Sequence, residues 1–211
     1  MVSPTGAKVV SVKPLENADA RWLNLVQIEY LTPDGKTRQW EAVRRTTKPR
    51  DSPADSVHIF AVRRNAFNEP EILLEKQFRP PAGSVVIEFP AGLVDAGETL
   101  EECALRELKE ETGYIGELVP GDAAPMVMWG SPASSSSRTV FINATVDVGR
   151  PENQNPSPEL EDTEFIEPFW LPLGELHGEL RKFAAEGFAI DSKVGVFAEG
   201  LEMAKLLQDR S

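Results

Sequence analysis

The chain has 211 residues, 41% of them hydrophobic and 27% charged, and carries a net charge of −12. A chain of this length buries one good core with room for a small accessory sheet. Its acidity argues against a nucleic-acid partner, since duplex binders need a basic surface to displace counterions. No apolar run is long enough to span a bilayer, and residues Met1 to Val10 lack the charged and apolar regions of a signal peptide. No membrane partner is therefore expected, and the cytoplasm is the default location, with the nucleus open to the same composition. Cys103 is the only cysteine, which excludes an intrachain disulfide and a cysteine-based zinc site. The two histidines, His58 and His177, are too few and too far from the acidic residues below to build a nucleophilic triad.

In chain order, residues 7 to 46 read as three strands: K-V-V-S-V, W-L-N-L-V-Q-I-E-Y and T-R-Q-W-E-A-V-R. Thr32-Pro33-Asp34-Gly35 makes the turn between the last two. From Ser56 the pattern becomes apolar, with strands at V-H-I-F-A-V, I-L-L-E-K-Q-F and V-V-I-E-F. A helix follows from Leu100 to Thr112, opened by the capping-box pair Thr99 and Glu102 and closed by Gly113. Further strands fall at M-V-M-W, T-V-F-I-N-A-T-V and F-I-E-P-F-W-L, and two closing helices lie around Leu173 to Glu186 and Ser192 to Gln208. Gly130 to Ser137 and Gly149 to Asp162 are rich in turn formers and read as irregular loops, the longer, acidic one being a candidate lid. Mixed strands with helices on both faces indicate an α/β sandwich preceded by a small antiparallel sheet.

The helix over 100–112 carries Glu107, Glu110 and Glu111. At roughly 100° per residue their side chains fall within an arc of about 100°. Leu100, Cys103, Ala104 and Leu108 share that half of the helix, whereas Glu102, Arg106 and Lys109 take the other. The three carboxylates are therefore expected to face inward. Partly buried like charges need a proton or a cation. Carboxylate oxygens suit a hard divalent ion, and Mg²⁺ in particular is held by a few carboxylates, water and substrate phosphates. Cys103, on the apolar face, reads as a small core residue.

The spacing here is Gly92, five residues, Glu98, seven residues, Arg106-Glu107-Leu108, one residue, Glu110-Glu111, one residue, Gly113. It resembles the signature of the Nudix hydrolases, which split a nucleoside diphosphate joined to another moiety. Tyr114 stands where that signature is normally aliphatic. Trp40 to Thr47, K-Q-F-R-P-P from Lys76 and E-F-P-A-G from Glu88 extend the likeness, from about Ala20 to Leu207, to the eukaryotic ADP-ribose pyrophosphatase branch.

This resemblance implies a Nudix α/β/α sandwich over 51–211, with residues 1–50 forming a sheet that serves dimerisation and adenine stacking. It also implies hydrolysis of ADP-ribose, and of related ADP-sugars, to AMP and the sugar phosphate. Glu107, Glu110 and Glu111 correspond to magnesium ligands together with the backbone carbonyl of Ala91, and Mn²⁺ is chemically able to substitute. Glu98 and Arg106 correspond to an ion pair tying the glycine loop to the helix. The base corresponds to an acid just before the E-F-I-E strand, which selects Glu164 over Glu159, Glu161 and Asp162. Trp22 and Trp40 match residues that sandwich adenine across a homodimer with exchanged N-terminal sheets. Glu41 matches the acceptor for the adenine amine, and Arg45 and Arg79 match phosphate contacts. Where the family carries an acid and a glycine against the terminal ribose, this chain has Ser131-Pro132-Ala133. Two other readings stay open: a nucleotide sensor that binds without turnover, and hydrolysis of a different nucleoside diphosphate derivative.

Overall fold

The computed structural model describes residues 3–47, 49, 51–121 and 124–208. Two sheets are present. The smaller pairs β1 (Leu23–Leu31) with β2 (Thr37–Arg45) in antiparallel register, Leu23 opposite Arg45 and Leu31 opposite Thr37. Gly35, at φ 78°, closes the connecting turn, its N–H donating to the Thr32 carbonyl at 2.9 Å. The expected first strand, residues 8–12, does not form. Val10 and Val12 remain exposed and that segment pairs with no strand among the described residues, so alternation alone was not enough to make a ladder.

The larger, mixed sheet contains β3 (Ser56–Arg64), β4 (Pro70–Arg79), β5 (Ser84–Glu88), β6 (Ala91–Leu93), β7 (Glu117–Leu118), β8 (Met128–Trp129), β9 (Arg138–Thr145), β10 (Ile166–Pro172) and β11 (Ala189–Ile190). Strand β4 pairs with β3 over 70–72, with β5 over 75–79 and with β10 over 71–77. Since β10 overlaps both of the others, β3 and β5 share the opposite edge of β4 and diverge from it. The chain leaving β5 fills the gap: the Ile59 N–H donates to the Pro90 carbonyl at 2.9 Å, and β6 pairs with β3 beyond it. That divergence sets the loop before the acidic helix at the centre of the sheet.

Helix α1 (Leu100–Thr112) covers one face of the sheet; α3 (Leu176–Ala185) and α4 (Ser192–Gln208) cover the other. The first face buries Val57, Ile59, Leu73, Val140 and Ile142 against Cys103, Ala104 and Leu108 of α1. The second buries Ile72, Leu74, Ile87 and Phe89 against Leu176, Leu180, Val194 and Ala198. Strand alternation explains the division, Leu73 turning to one core and its neighbours Ile72 and Leu74 to the other. The architecture is thus the α/β/α sandwich expected, with a separate two-stranded sheet before it.

Two loops are more structured than their composition suggests. The acidic segment after Gly149 contains a short helix α2 (Pro151–Gln154), begun by a proline at its first turn. Its buried Asn153 donates to the carbonyls of Ile115 and Asp147 and accepts from the Ile115 N–H. The serine-rich loop is docked on the small sheet: the Val43 N–H donates to the Ser134 carbonyl at 2.7 Å and the Ser136 N–H to the Val43 carbonyl at 3.2 Å. No helix among the described residues is long and apolar enough to cross a membrane.

Candidate active site

The helix α1 begins and ends where its local sequence dictates. Thr99 accepts from the Glu102 N–H while the Glu102 carboxylate accepts from the Thr99 N–H, and Gly113, at φ 76°, provides the left-handed C-cap. Its boundaries fix the azimuth of every carboxylate above the sheet.

Glu111 is buried, and its Oε2 accepts from the Ala91 N–H at 2.9 Å. Glu107 leaves 12% of its side chain exposed, whereas Glu110 leaves 40%. Two of the three thus face inward and the third sits at the rim, a correction to the expectation that all three are turned in. Arg106, assigned to the opposite half of the helix, forms the expected ion pair with Glu98 and also reaches the inner carboxylates. Its long side chain curls back, donating through Nε and Nη2 to both oxygens of Glu98 at 2.7 and 3.0 Å. Nη1 reaches Glu107 at 2.9 Å and Glu110 at 3.0 Å. A bidentate guanidinium–carboxylate pair of this kind fixes geometry as well as charge. Glycine at position 92 leaves room for the Glu107 carboxylate, because a Cβ there would lie 1.8 Å from its Cδ and the side chain would have to move.

The electrostatics follow from this crowding. Burial pushes the Glu107 carboxyl up to about 7, against the pull of Arg106. Burial, reinforced by the charge of Glu107, raises Glu111 well above the carboxylate range. Below them on β4, Glu75 is raised in the same sense by burial, then by Glu111 and Glu88. Glu164 stands close enough to raise the proton affinity of Glu75, Glu107 and Glu111. Its Oε2 accepts from the Glu161 N–H at 3.0 Å. Of its competitors, Glu159 is tied outward to Lys109 at 2.8 Å, and Glu161 and Asp162 are exposed. The Glu159 N–H also donates to the Glu110 carbonyl at 2.7 Å, so this loop is anchored to α1.

As the side chains stand, no group of three or more His, Cys, Asp or Glu among the described residues converges tightly enough to hold a metal ion. The cause is visible: Arg106 holds Glu107 and Glu110, and the Ala91 amide holds Glu111. The donor chemistry nonetheless suits a hard cation, being carboxylate oxygens that burial has made costly to leave charged. Among the described residues, both oxygens of Glu75 and Oε1 of Gln77 have no hydrogen-bond partner, an arrangement native interiors avoid unless something else satisfies them.

The remaining expected residues fall on the small sheet and beside it. Trp40 is half-exposed and its Nε1 donates to the Ala133 carbonyl at 2.7 Å. Trp22 precedes β1, its carbonyl accepting from the Thr46 N–H at 3.0 Å. Glu41 is exposed and Arg45 ends β2 half-buried. Arg79 donates from Nε to Glu88 at 2.7 Å. Ser131 lines a cavity of about 180 Å³ with His58, Ser135 and Lys193. Burial, then the charge of Lys193, holds the His58 imidazole down to about 3, so it stays neutral. Cys103 is fully buried, and burial raises its thiol, leaving it an inert core residue. Motif reading gave no role to Glu75, Gln77 or Glu88, although Gln77 and Glu88 lie within the matched segments. Glu75 and Gln77 form with Arg79 a polar row at every second position of β4, and Glu88 stands opposite Glu75 on β5.

Sheet, glycine loop and capped acidic helix together define a phosphohydrolase-type α/β/α domain of known pattern. The NUDIX domain model matches residues 53–189, and the chain belongs to that family. It is 43% identical over 194 residues to an uncharacterized Nudix hydrolase of Schizosaccharomyces pombe, covering 92% of each chain. Against the ADP-ribose pyrophosphatase of Saccharomyces cerevisiae it is 40% identical over 204 residues, 96% of this chain and 87% of the other. Against the ADP-sugar pyrophosphatase of Mus musculus it is 37% identical over 188 residues, 89% of this chain and 84% of the other.

Proposed function

We propose that the protein hydrolyses the pyrophosphate bond of ADP-ribose, and of related ADP-sugars, with Mg²⁺ as cofactor, releasing AMP and ribose 5-phosphate. The observation that carries this reading is the burial of Glu107 and Glu111 on the inner side of α1, with Glu111 accepting from the Ala91 N–H and with Glu75 and Glu164 near enough to act on its charge. Relatives named for ADP-ribose and ADP-sugars, similar over most of the chain, support the substrate.

Glu107, Glu110, Glu111 and the Ala91 carbonyl would hold the metal. A divalent ion bound there supplies charge neutralisation on the diphosphate and a lowered pKa for a coordinated water. Arg106 and Glu98 keep the glycine loop seated against α1. Glu164 accepts the proton of the attacking water, whose oxygen bonds to phosphorus as the bridging P–O bond breaks. Arg79 and Arg45 offer fixed positive charge to the phosphates. Glu41 accepts from the adenine amine and Ser131 meets the distal sugar with one hydrogen bond.

Residues 1–50 act as the adenine-binding and dimerisation unit, and 51–211 as the catalytic domain. Trp22 lies opposite Thr46, six residues along β2 from Trp40. At about 3.3 Å per residue that is roughly 20 Å, far more than the span of one base between two rings. The separation supports a homodimer in which Trp22 of one copy and Trp40 of the other stack on one adenine. Exposure of Leu25 and Leu31 on the same hairpin, at 60% and 72%, supports it too, since a lone two-stranded sheet is marginal in water. The composition and the lack of a spanning helix among the described residues support a cytoplasmic location.

The test is a panel of nucleoside diphosphate derivatives incubated with and without Mg²⁺, with products separated by chromatography and the enzyme sized by light scattering. Magnesium-dependent AMP release from ADP-ribose by a dimer is expected. Binding of ADP-ribose without turnover would reject the hydrolase in favour of a sensor, and full activity in a monomer would reject the shared adenine site.

A further inference from the structure

Beneath α1, the sheet floor holds an acid that the family signature does not include. Along β4, Leu73, Glu75, Gln77 and Arg79 alternate onto the face that α1 covers, while Ile72 and Leu74 enter the opposite core. Glu75 is opposite Glu88 on β5 and Pro168 on β10, so it has a paired strand at each side. It is fully buried, at 0% exposure, and neither carboxylate oxygen has a hydrogen-bond partner among the described residues. Oε1 of Gln77, two residues on, is likewise without a donor. The positive charge that acts on Glu75 is Arg79, and that guanidinium is already engaged by Glu88 at 2.7 Å.

Every other carboxylate here has an internal partner. Glu107 and Glu110 share Arg106, Glu111 has the Ala91 amide, and Glu164 has the Glu161 amide. Only Glu75 has nothing to give up when a cation arrives. A proton would neutralise it, with Gln77 Oε1 as the acceptor on offer, but would leave the second carboxyl oxygen and the charge of the neighbouring helix glutamates unanswered. A hard divalent ion, or water bound to one, satisfies orphaned oxygens and the surrounding negative charge together.

We propose that Glu75 is a further carboxylate of the divalent-cation site, facing the ion from the sheet as Glu111 faces it from the helix. This rests on the reading of α1 as a cation site. The role is that of a binding residue: Glu75 raises the affinity of the nucleotide-free protein for the ion and makes the helix glutamates easier to draw off Arg106.

The experiment is titration of nucleotide-free protein with Mn²⁺, free ion being followed by electron paramagnetic resonance, alongside thermal melts with and without Mn²⁺. Wild type is compared with Glu75→Gln, with the near-isosteric apolar Glu75→Met in case the amide is poorly tolerated, and with Glu71→Gln. Glu71 lies on the same strand, paired with Arg63 at 2.7 Å outside the site. Both Glu75 variants are expected to bind Mn²⁺ at least tenfold more weakly. Without metal they should melt no lower than wild type, and their Mn²⁺-induced rise in Tm should shrink. Glu71→Gln should bind Mn²⁺ as wild type does. Unchanged Mn²⁺ affinity in both Glu75 variants would overturn the assignment while leaving the helix site intact. Absence of Mn²⁺ binding in wild type would instead remove the cation reading of α1, and this inference with it.

Discussion

The acidic helix and the N-terminal hairpin solve opposite problems. Helix α1 is specified within its own residues: a capping box at one end, a left-handed glycine at the other and a guanidinium that gathers three carboxylates. Glu111 and most of Glu107 are buried against a continuous sheet, and Arg106 ties Glu107 to Glu110 at the rim. The hairpin β1–β2 is as regular in backbone but keeps Trp22, Leu25, Leu31 and Trp40 in solvent and touches the rest of the chain at β2 through the serine loop. Under the function proposed above, the catalytic unit lies within one copy, and the hairpin's exposed rings await a base or a second copy.

The sharpest way to break the first half of that contrast is Gly92→Ala. The added methyl would overlap Glu107, displacing a ligand-type carboxylate. Loss of supporting residues around metal ligands typically costs 10–100-fold, so displacing a ligand should cost more than about 100-fold in kcat. Circular dichroism should show the fold retained, with Tm lower by several degrees from about 1–3 kcal/mol of overpacking. Activity near that of wild type would show that the close approach of glycine and glutamate is not needed.

The second half is sharpened by Trp22→Ala. Stacking on a base contributes about 1–3 kcal/mol, so KM for ADP-ribose should rise roughly 5- to 150-fold while kcat changes little. Mixing this variant with Trp40→Ala should restore part of the activity if each site draws one ring from each copy. A fall in kcat at unchanged KM, measured by steady-state kinetics, would place Trp22 outside adenine recognition.

The smallest expected effect lies between the regions, at His58, which stacks on Phe141 at 5.2 Å and faces Lys193 and the serine loop. Folded, its imidazole is held down to about 3 from an ordinary 6.5. Between those values the unfolded chain binds the extra proton, so the stability from neutral His58 is fully present above about pH 6.5 and is lost as pH falls toward 3. The slope is at most about 1.4 kcal/mol per pH unit. Urea denaturation of His58→Phe should therefore show a weaker loss of stability from pH 7 to pH 5 than wild type. Identical pH profiles would mean that His58 is not kept neutral by the fold.

Which features were legible in the sequence follows from how far each interaction reaches. The ends of α1 were legible because Thr99, Glu102 and Gly113 act within a few residues of each other, and the strands from β3 to β5 because their apolar runs are continuous. Residues 8–12 misled because alternation shows that a strand would suit a half-buried surface, not that a partner exists. Arg106 misled because a helical wheel places Cβ atoms, whereas a long side chain carries its charge a further turn around the helix. Asn153 and α2 were hidden in a segment of loop-like composition, since the bonds that order it run to Ile115 and Asp147. Glu75 carried no local signal as a site residue, because its nearness to Glu111 arises from the packing of α1 on the sheet, between residues 36 apart in the chain.

The central claim is that α1 carboxylates hold a magnesium ion at a diphosphate. Its most direct test follows AMP and ribose 5-phosphate from ADP-ribose as Mg²⁺ is added back to chelator-treated wild type and Glu111→Gln. Equimolar products that appear only with Mg²⁺ are expected from wild type, with turnover lowered more than about 100-fold in the variant at unchanged fold. Comparable turnover in both proteins, or full turnover in chelator, would contradict the claim.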